Sequence, residues 1–164
     1  AIIEDPRPGR FHPERARRLG VPEGPLWKRL QRGEDITLSD GRVVRSRDVV
    51  DPPRRGRRIV YSGDTRPNRR LIELARGADV LIHEATFHDE LRDRAIRDGH
   101  STAREAAEAA AQAGVKLLVL THISARYPDP KPLLEEARSV FPRVLVAEDL
   151  MTLRVPLSDE PAET

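Results

Sequence analysis

The chain has 164 residues, which is the length of one ordinary domain with a hydrophobic core. Its 29 Lys and Arg residues nearly balance 27 Asp and Glu residues, so the net charge of +2 does not point to a partner. No run of about 18 apolar residues exists, which excludes a membrane-spanning helix. Cysteine is absent and the first residues show no signal-peptide pattern, which fits a cytoplasmic protein without disulfides.

Residues 1–56 are rich in Pro, Gly and Arg. Two short helices are predicted at about 13–19 and 25–32, separated by the helix-breaking segment GVPEGP. Alternating apolar residues on both sides of the turn sequence SDG predict a β-hairpin at about 36–44. The segment PPRRGRR, residues 52–58, could contact phosphate or could simply be a solvated surface.

From residue 57 onward, predicted strands and helices alternate, which is typical of an α/β fold. The predicted strands cover about 57–63, 79–85, 115–122, 143–149 and 151–157. The predicted helices cover about 68–78, 88–99, 101–114 and 131–141. Thr102 and Glu105 form a capping-box pattern at the start of the third of these helices. The last eight residues, 157–164, are predicted to be a frayed tail.

Polar side chains lie at the ends of three predicted strands. Asp64 comes directly after the first strand, His83 and Glu84 lie near the end of the second, and His122 is the last residue of the third. His100 lies directly before the capping box. Each residue alone has a structural interpretation, such as a helix N-cap for Asp64 or a core histidine for His122. Their shared position at the ends of elements favours a metal site over independent structural roles.

Metal chemistry would suit these residue types, because zinc without cysteine is held by imidazole and carboxylate groups. Two such ions can activate water and stabilise displacement at phosphorus. A catalytic zinc normally takes three protein ligands, however, and the sequence contains no dense histidine cluster. The residues alone therefore describe only part of a metal site.

The order of the motifs SGDTRP, HEATF, GHSTA and LTHISARY resembles the ribonuclease Z family of the metallo-β-lactamase superfamily. The HEAT and HST motifs at this spacing are specific to that family, whereas SGDT and THIS alone fit many hydrolases of the superfamily. The resemblance implies that residues 57–156 form the C-terminal half of a metallo-β-lactamase αββα sandwich. Residues 1–56, with their two short helices and hairpin, would follow the RNA-binding arm of the family.

The resemblance also implies roles for individual residues. Asp64 would bridge two zinc ions, and His122 would be a ligand of one of them. Glu84 and His100 would form a proton relay to the leaving 3′-oxygen of the substrate, since a leaving alkoxide needs a proton. Substrate contacts are expected from the segment after His122, where an Arg could meet a phosphate: Ser124, Arg126 and Tyr127.

The activity implied by the resemblance is that of a zinc-dependent endoribonuclease, which removes the 3′ trailer from precursor tRNA and leaves a tRNA 3′-hydroxyl. The His-x-His-x-Asp-His ligands and the catalytic base of the family are not in this sequence. Because the chain begins at Ala1 within an apolar run and without Met, we expect its partner to be a missing N-terminal half of the same protein. The isolated chain is then expected to be inactive, and the whole protein to be a homodimer.

Two alternative functions remain open from the sequence. The first is another two-metal phosphodiesterase of the metallo-β-lactamase fold. The second is a non-catalytic RNA-binding or interaction fragment that kept part of a site. An in-frame His-x-His-x-Asp-His motif upstream would favour an enzyme, whereas a stop codon followed by a local start codon would favour the fragment.

Overall fold

The computed structural model describes residues 1–158 and 160–162, and the chain forms two compact units. The first, the sheet unit, comprises Ala1–Ile3 and Arg57–Pro156. The second, the Arg/Pro unit, comprises Glu4–Gly56 and Leu157–Thr164. The boundary after Gly56 falls where the composition changes from Pro- and Arg-rich sequence to alternating apolar runs.

The described helices and strands are short, and the two with the most residues, helices of 11 and 10 residues, lie in the sheet unit. In chain order they are β1 Ile2–Ile3, α1 Pro13–Arg18, α2 Pro25–Gln31, β2 Ile36–Thr37, β3 Val43–Val44, α3 Ser46–Val49, β4 Arg58–Tyr61, α4 Arg69–Leu74, β5 Val80–Glu84, a 3₁₀ turn Asp89–Leu91, α5 Arg92–Asp98, α6 Ala103–Ala113, β6 Leu118–Thr121, α7 Lys131–Val140 and β7 Val144–Val146. None of the helices in these described ranges is long and apolar enough to cross a bilayer.

The Arg/Pro unit contains the two predicted helices and the predicted hairpin, which are confirmed as α1, α2 and the antiparallel pair β2–β3. Helix α3 was not predicted, because its four residues are too few to show a helical period. The unit has a small apolar core of its own, which includes the fully buried side chains of Ala16, Leu30 and Val49.

The sheet unit contains five strands in the order β1-β4-β5-β6-β7, and all pairs are parallel except the antiparallel edge pair β1–β4. This arrangement confirms the predicted α/β class. One face of the sheet packs on helices, with Val60, Leu81 and Leu118 in register across three strands. Buried alanines of α6, among them Ala106 and Ala110, belong to the same core, and their small side chains allow a close approach.

The opposite face of the sheet is apolar but only partly covered. Side chains alternate between faces along a strand, so Tyr61 and Ile82 point away from Val60 and Leu81. Tyr61 is 60% exposed, and Ile59 and Ile82 are half-buried. The sheet therefore has one helix-covered face and one face with accessible apolar side chains.

Three predicted elements differ from the structure. The strand predicted over 151–157 is wrong, since no ladder forms there; a turn at Asp149 and Leu150, the latter with a left-handed φ of 63°, follows β7, and Pro156 has no N–H to donate. The helix predicted over 88–99 is a 3₁₀ turn followed by α5. The helix predicted over 68–78 ends at Leu74, before the left-handed Gly77.

The predicted fraying of residues 157–164 is wrong for the described part of that segment. The Arg55 N–H donates to the Glu160 carbonyl at 2.9 Å, and the Ala162 N–H donates to the Pro53 carbonyl at 2.7 Å. Ser158 is buried. Pairing with another extended segment satisfies these backbone groups, which the composition of the tail could not indicate. Residues 159, 163 and 164 lie outside the described residues.

Candidate metal centre

The carboxyl ends of β4, β5 and β6 meet at one edge of the sheet, because the three strands are parallel neighbours. Gly63, with a left-handed φ of 63°, turns the chain directly after β4 and leaves the following Asp64 exposed. Glu84 is the last residue of β5, and His122 follows β6 with an unusual φ of 54°. His100 arrives at the same edge from the segment before α6.

Asp64, His100 and His122 form a group that could hold a metal ion, since each offers a ligand atom within 4.8 Å of the other two. His122 Nε2 lies 3.6 Å from Asp64 Oδ2. Two donors on one tetrahedral ion with bonds of about 2.0–2.1 Å are about 3.3–3.4 Å apart, so this pair fits a shared ion. His100 lies in the group, although the resemblance to ribonuclease Z implied a relay role for it rather than a ligand role.

Glu84 is fully buried and accepts hydrogen bonds from several residues at this edge of the sheet. Its Oε1 accepts from the Thr65 N–H at 2.8 Å and from His100 Nδ1 at 2.9 Å. Its Oε2 accepts from the Ser101 N–H at 3.0 Å and from the Thr86 hydroxyl at 2.7 Å. Burial raises the pKa of Glu84, but these hydrogen bonds outweigh burial and hold the pKa below its usual value.

The two histidines of the group lie against each other. Their rings stack with centroids 5.2 Å apart, and Phe87 meets His100 edge-on at 6.2 Å. A carboxylate can only accept, so the His100 Nδ1 carries a proton toward Glu84 and its Nε2 is left for other chemistry. His122 Nδ1 lies 2.9 Å from the Thr86 hydroxyl oxygen.

Arg66 is a member of this region that the sequence did not indicate. Its Nη1 donates to the His100 carbonyl at 2.5 Å and to Glu105 Oε2 at 2.6 Å, and its Nη2 also pairs with Glu105. The Ser101 hydroxyl donates to the Thr65 carbonyl at 2.5 Å. These contacts join the segment after β4 to the segment before α6, and thereby fix the relative positions of Asp64 and His100.

The three predicted substrate residues have different surroundings. Arg126 is exposed, its Nε donates to the Ser124 hydroxyl at 3.0 Å, and its guanidinium lies over the Phe87 ring at 5.0 Å. The Tyr127 hydroxyl instead accepts from the His88 N–H at 3.0 Å, which anchors the loop after β6. Arg126 therefore lies over the same Phe87 ring that meets His100 edge-on, whereas Tyr127 is engaged with the loop.

A second carboxylate–histidine region, the Glu136 cluster, consists of His88, Asp89, Arg104 and Glu136. The side chain of Glu136 is 5% exposed and lies 3.3 Å from His88 Nε2. It also accepts from the backbone N–H groups of Asp89 and Arg104, each at 3.2 Å. The His88 side chain is only 26% exposed and is paired with Glu136.

His83 belongs to neither region. It is fully buried, and its Nδ1 lies 2.7 Å from the Glu84 carbonyl oxygen. Burial lowers the pKa of His83, and the hydrogen bond to the Glu84 carbonyl opposes that effect only in part. We therefore interpret His83 as a neutral core histidine rather than a ligand.

Comparisons of this chain with known proteins agree on one superfamily. A family model described as a beta-lactamase superfamily domain matches residues 29–123. Ribonuclease Z of Gemmatimonas aurantiaca is 58% identical over 100% of this chain and 52% of its own length. Ribonuclease Z of Haloferax volcanii is 56% identical, over 97% of this chain and 51% of its own length.

The solved structure of human tRNase Z, short form, is 35% identical, with a TM-score of 0.51 over 70% of this chain and 37% of that one. The predicted resemblance to ribonuclease Z is thereby confirmed, and the two alternative functions are not favoured. The chain spans about half the length of the curated relatives it matches. Since the family model covers more than half of its residues, the chain belongs to the beta-lactamase superfamily, and its metallo-β-lactamase fold matches part of a ribonuclease Z fold.

Proposed function

We propose that this chain is the C-terminal half of a zinc-dependent endoribonuclease that removes the 3′ trailer from precursor tRNA and leaves a tRNA 3′-hydroxyl. One observation carries the proposal: Asp64, His100 and His122 meet around the buried Glu84 in a chain more than half identical to proteins named ribonuclease Z. The missing partner is the N-terminal half of the same protein. The accessible apolar face of the sheet, with Tyr61 60% exposed, supports a covering layer from that half.

In this proposal, Asp64 would be a ligand shared by two zinc ions and His122 would be a ligand of one. The 3.6 Å separation of their donor atoms supports a shared ion. Zinc bound at these residues would supply Lewis acidity toward the phosphate and would activate a water at neutral pH. The described residues offer too few ligands for two catalytic zinc ions, so the isolated chain is inactive and the N-terminal half completes the ligand set.

His100 and Glu84 act on the leaving group. The oxygen of a water molecule attacks phosphorus, and the bond between phosphorus and the tRNA 3′-oxygen breaks. The leaving 3′-oxygen then needs a proton. His100 Nε2 donates the proton, while Glu84 holds Nδ1 at 2.9 Å and stabilises the ring as it changes charge. The products are a tRNA with a 3′-hydroxyl and a trailer with a 5′-phosphate.

Arg126 binds a substrate phosphate in the same proposal. The Ser124 hydroxyl and the Phe87 ring hold its guanidinium from two sides, which leaves its terminal N–H groups for a ligand. Ser124 supports Arg126, and Tyr127 shapes the loop through its contact with the His88 N–H.

The remaining assignments rest on the resemblance to ribonuclease Z. The Arg/Pro unit follows the RNA-binding arm, and the whole protein is a cytoplasmic homodimer. The absence of cysteine fits a reducing compartment. Sedimentation equilibrium of the full-length protein tests the dimer, and a monomer at micromolar concentration would contradict it.

Cleavage of a 5′-labelled precursor tRNA by the full-length protein with zinc tests the activity. We expect one product that a poly(A) polymerase can extend, because it ends in a 3′-hydroxyl. Asp64→Ala and His122→Ala should lower both activity and bound zinc by orders of magnitude, whereas His88→Ala, in the Glu136 cluster, should not. A cyclic phosphate at the new 3′ end, or full zinc content in both variants, would overturn the proposal.

A further inference from the structure

The Thr86 hydroxyl lies between a buried carboxylate and a histidine of the candidate metal group. Its oxygen is 2.7 Å from Glu84 Oε2 and 2.9 Å from His122 Nδ1. Thr86 is only 7% exposed. The loop is held by a second contact, since the Ser124 N–H donates to the Thr86 carbonyl at 3.2 Å.

A hydroxyl has one hydrogen, so the direction of these two bonds is linked. Both oxygens of Glu84 already accept N–H groups, from Thr65 and His100 at Oε1 and from Ser101 at Oε2. The carboxylate therefore has no hydrogen to give to Thr86, and the hydroxyl hydrogen must point to Glu84. The hydroxyl oxygen is then left to accept, and only a protonated Nδ1 of His122 can donate to it.

We propose that Thr86 is a positioning residue that fixes His122 as its Nδ1–H tautomer, so that the Nε2 lone pair faces Asp64. Glu84 then orients both histidines of the group, His100 directly and His122 through Thr86. The opposite tautomer would place a hydrogen on Nε2, on the side of Asp64, and a nitrogen that carries a hydrogen has no lone pair for a metal. The tautomer follows from hydrogen bonds of this chain alone, and only its consequence for metal binding rests on the proposed function.

Removal of a partner that orients a metal-binding histidine typically lowers metal affinity or activity by about 10–100-fold. Thr86→Val keeps the shape of the side chain and removes the hydroxyl. Thr86→Ser keeps the hydroxyl and removes a methyl group. Thr121→Val is the matched control, because Thr121 lies beside His122 and its hydroxyl makes no side-chain hydrogen bond in the ranges that the structure describes.

Two measurements test the proposal. Long-range ¹⁵N–¹H spectra of the metal-free protein at neutral pH report the tautomer of His122, and zinc competition against a chelator reports its affinity. We expect a protonated Nδ1 in the wild type, in Thr86→Ser and in Thr121→Val. Thr86→Val should lose that preference and bind zinc about 10–100-fold more weakly.

A protonated Nε2 in the wild type would overturn the proposal, as would a Thr86→Val protein with unchanged tautomer and unchanged zinc affinity. If Thr86→Val does not fold, the spectra of the wild type and of Thr86→Ser still test the tautomer of His122. Failure of the full-length protein to cleave precursor tRNA would reject the proposed function and leave the tautomer assignment intact.

Discussion

Two regions of the sheet unit contain a buried carboxylate beside a histidine. The Glu84 cluster consists of Asp64, Glu84, Thr86, His100 and His122, and the Glu136 cluster was defined above. Both central carboxylates are nearly inaccessible, and both accept hydrogen bonds from backbone N–H groups, three for Glu84 and two for Glu136, in addition to a histidine contact. Burial and hydrogen bonding of the carboxylate therefore do not distinguish the regions.

The difference lies in the second nitrogen of the histidine. In the Glu136 cluster, His88 turns Nε2 toward Glu136 itself, and its Nδ1 lies 3.5 Å from the Glu90 N–H. In the Glu84 cluster, His100 uses only Nδ1 for the carboxylate and stacks on His122 near the exposed Asp64. A buried acid supports the structure in both places, but of these two regions it is the Glu84 cluster that places an imidazole beside other candidate metal ligands.

The largest expected effect contrasts the two histidines. His100→Ala in the full-length protein should lower kcat by about 10²–10⁴-fold, because the proposed function makes His100 the general acid of the chemical step. His88→Ala should leave kcat within about threefold, since its contacts are structural. Single-turnover cleavage of precursor tRNA measures both, with zinc content and tRNA affinity as controls that should stay near wild type.

The outcome for His100→Asn decides whether His100 carries a proton or only shapes its loop. Asn can keep a hydrogen bond to Glu84 but cannot deliver a proton at neutral pH, so near-full activity would contradict the relay. A substrate with a much better leaving group should rescue His100→Ala. Absence of rescue would also reject proton donation.

A smaller effect should separate the two carboxylates. Glu84→Gln should lower kcat by about 10–100-fold, because it changes the group that orients His100. Glu136→Gln should leave kcat unchanged. In the double variant with His100→Ala, the loss should be less than the product of the single losses, since the two residues act as a unit. A fully multiplicative loss would show that Glu84 acts independently of His100.

Stability should show no such contrast between the carboxylates. Glu84→Gln and Glu136→Gln each leave buried N–H donors poorly paired, so each should lower the free energy of unfolding by about 1–3 kcal/mol. Glu135→Gln is the matched control, because Glu135 is exposed on the same helix α7 as Glu136 and should change stability by less than about 0.5 kcal/mol. Urea unfolding measures all three, and an unaffected Glu136→Gln would remove the structural role assigned to its cluster.

The smallest expected effect concerns His83, whose Nδ1 lies against a backbone carbonyl rather than a carboxylate. Burial lowers its pKa, so below about pH 6.5 the unfolded chain binds a proton that the folded chain does not. Stability should then fall on acidification, by at most about 1.4 kcal/mol per pH unit from this residue. His83→Asn should reduce the slope of unfolding free energy between about pH 6.5 and 5. An unchanged slope would contradict a neutral, buried His83.

Much of the fold could be predicted from local sequence. The apolar runs of β4, β5 and β6 and the Thr102–Glu105 capping box of α6 are local signals, and the structure confirms each of them. The segment 151–157 also alternates, but a strand needs a partner and none pairs with it in the described chain. Pairing of Glu160 with Arg55 joins residues far apart in sequence, which composition does not indicate.

Some residues of the candidate site could likewise be predicted from local sequence, and others could not. Asp64, Glu84 and His122 could be found because each ends an apolar run, and parallel strands end at one edge. Arg66 and Thr86 could not, because their roles depend on the distance to Glu105 and His122 after the loops have packed. The Glu136 contacts were missed for the same reason, since α7 brings that carboxylate to His88 only in the folded chain.

The backbone of His122 limits how this centre could be redesigned. Its φ of 54° lies in the left-handed region, where among residues with a side chain Asn, Asp and His are enriched. Of these, Asp offers an oxygen ligand of the kind that Mg²⁺ and Mn²⁺ prefer to imidazole. A laboratory change of metal preference would therefore start with His122→Asp, which keeps a favourable backbone, whereas a β-branched replacement would strain the turn after β6.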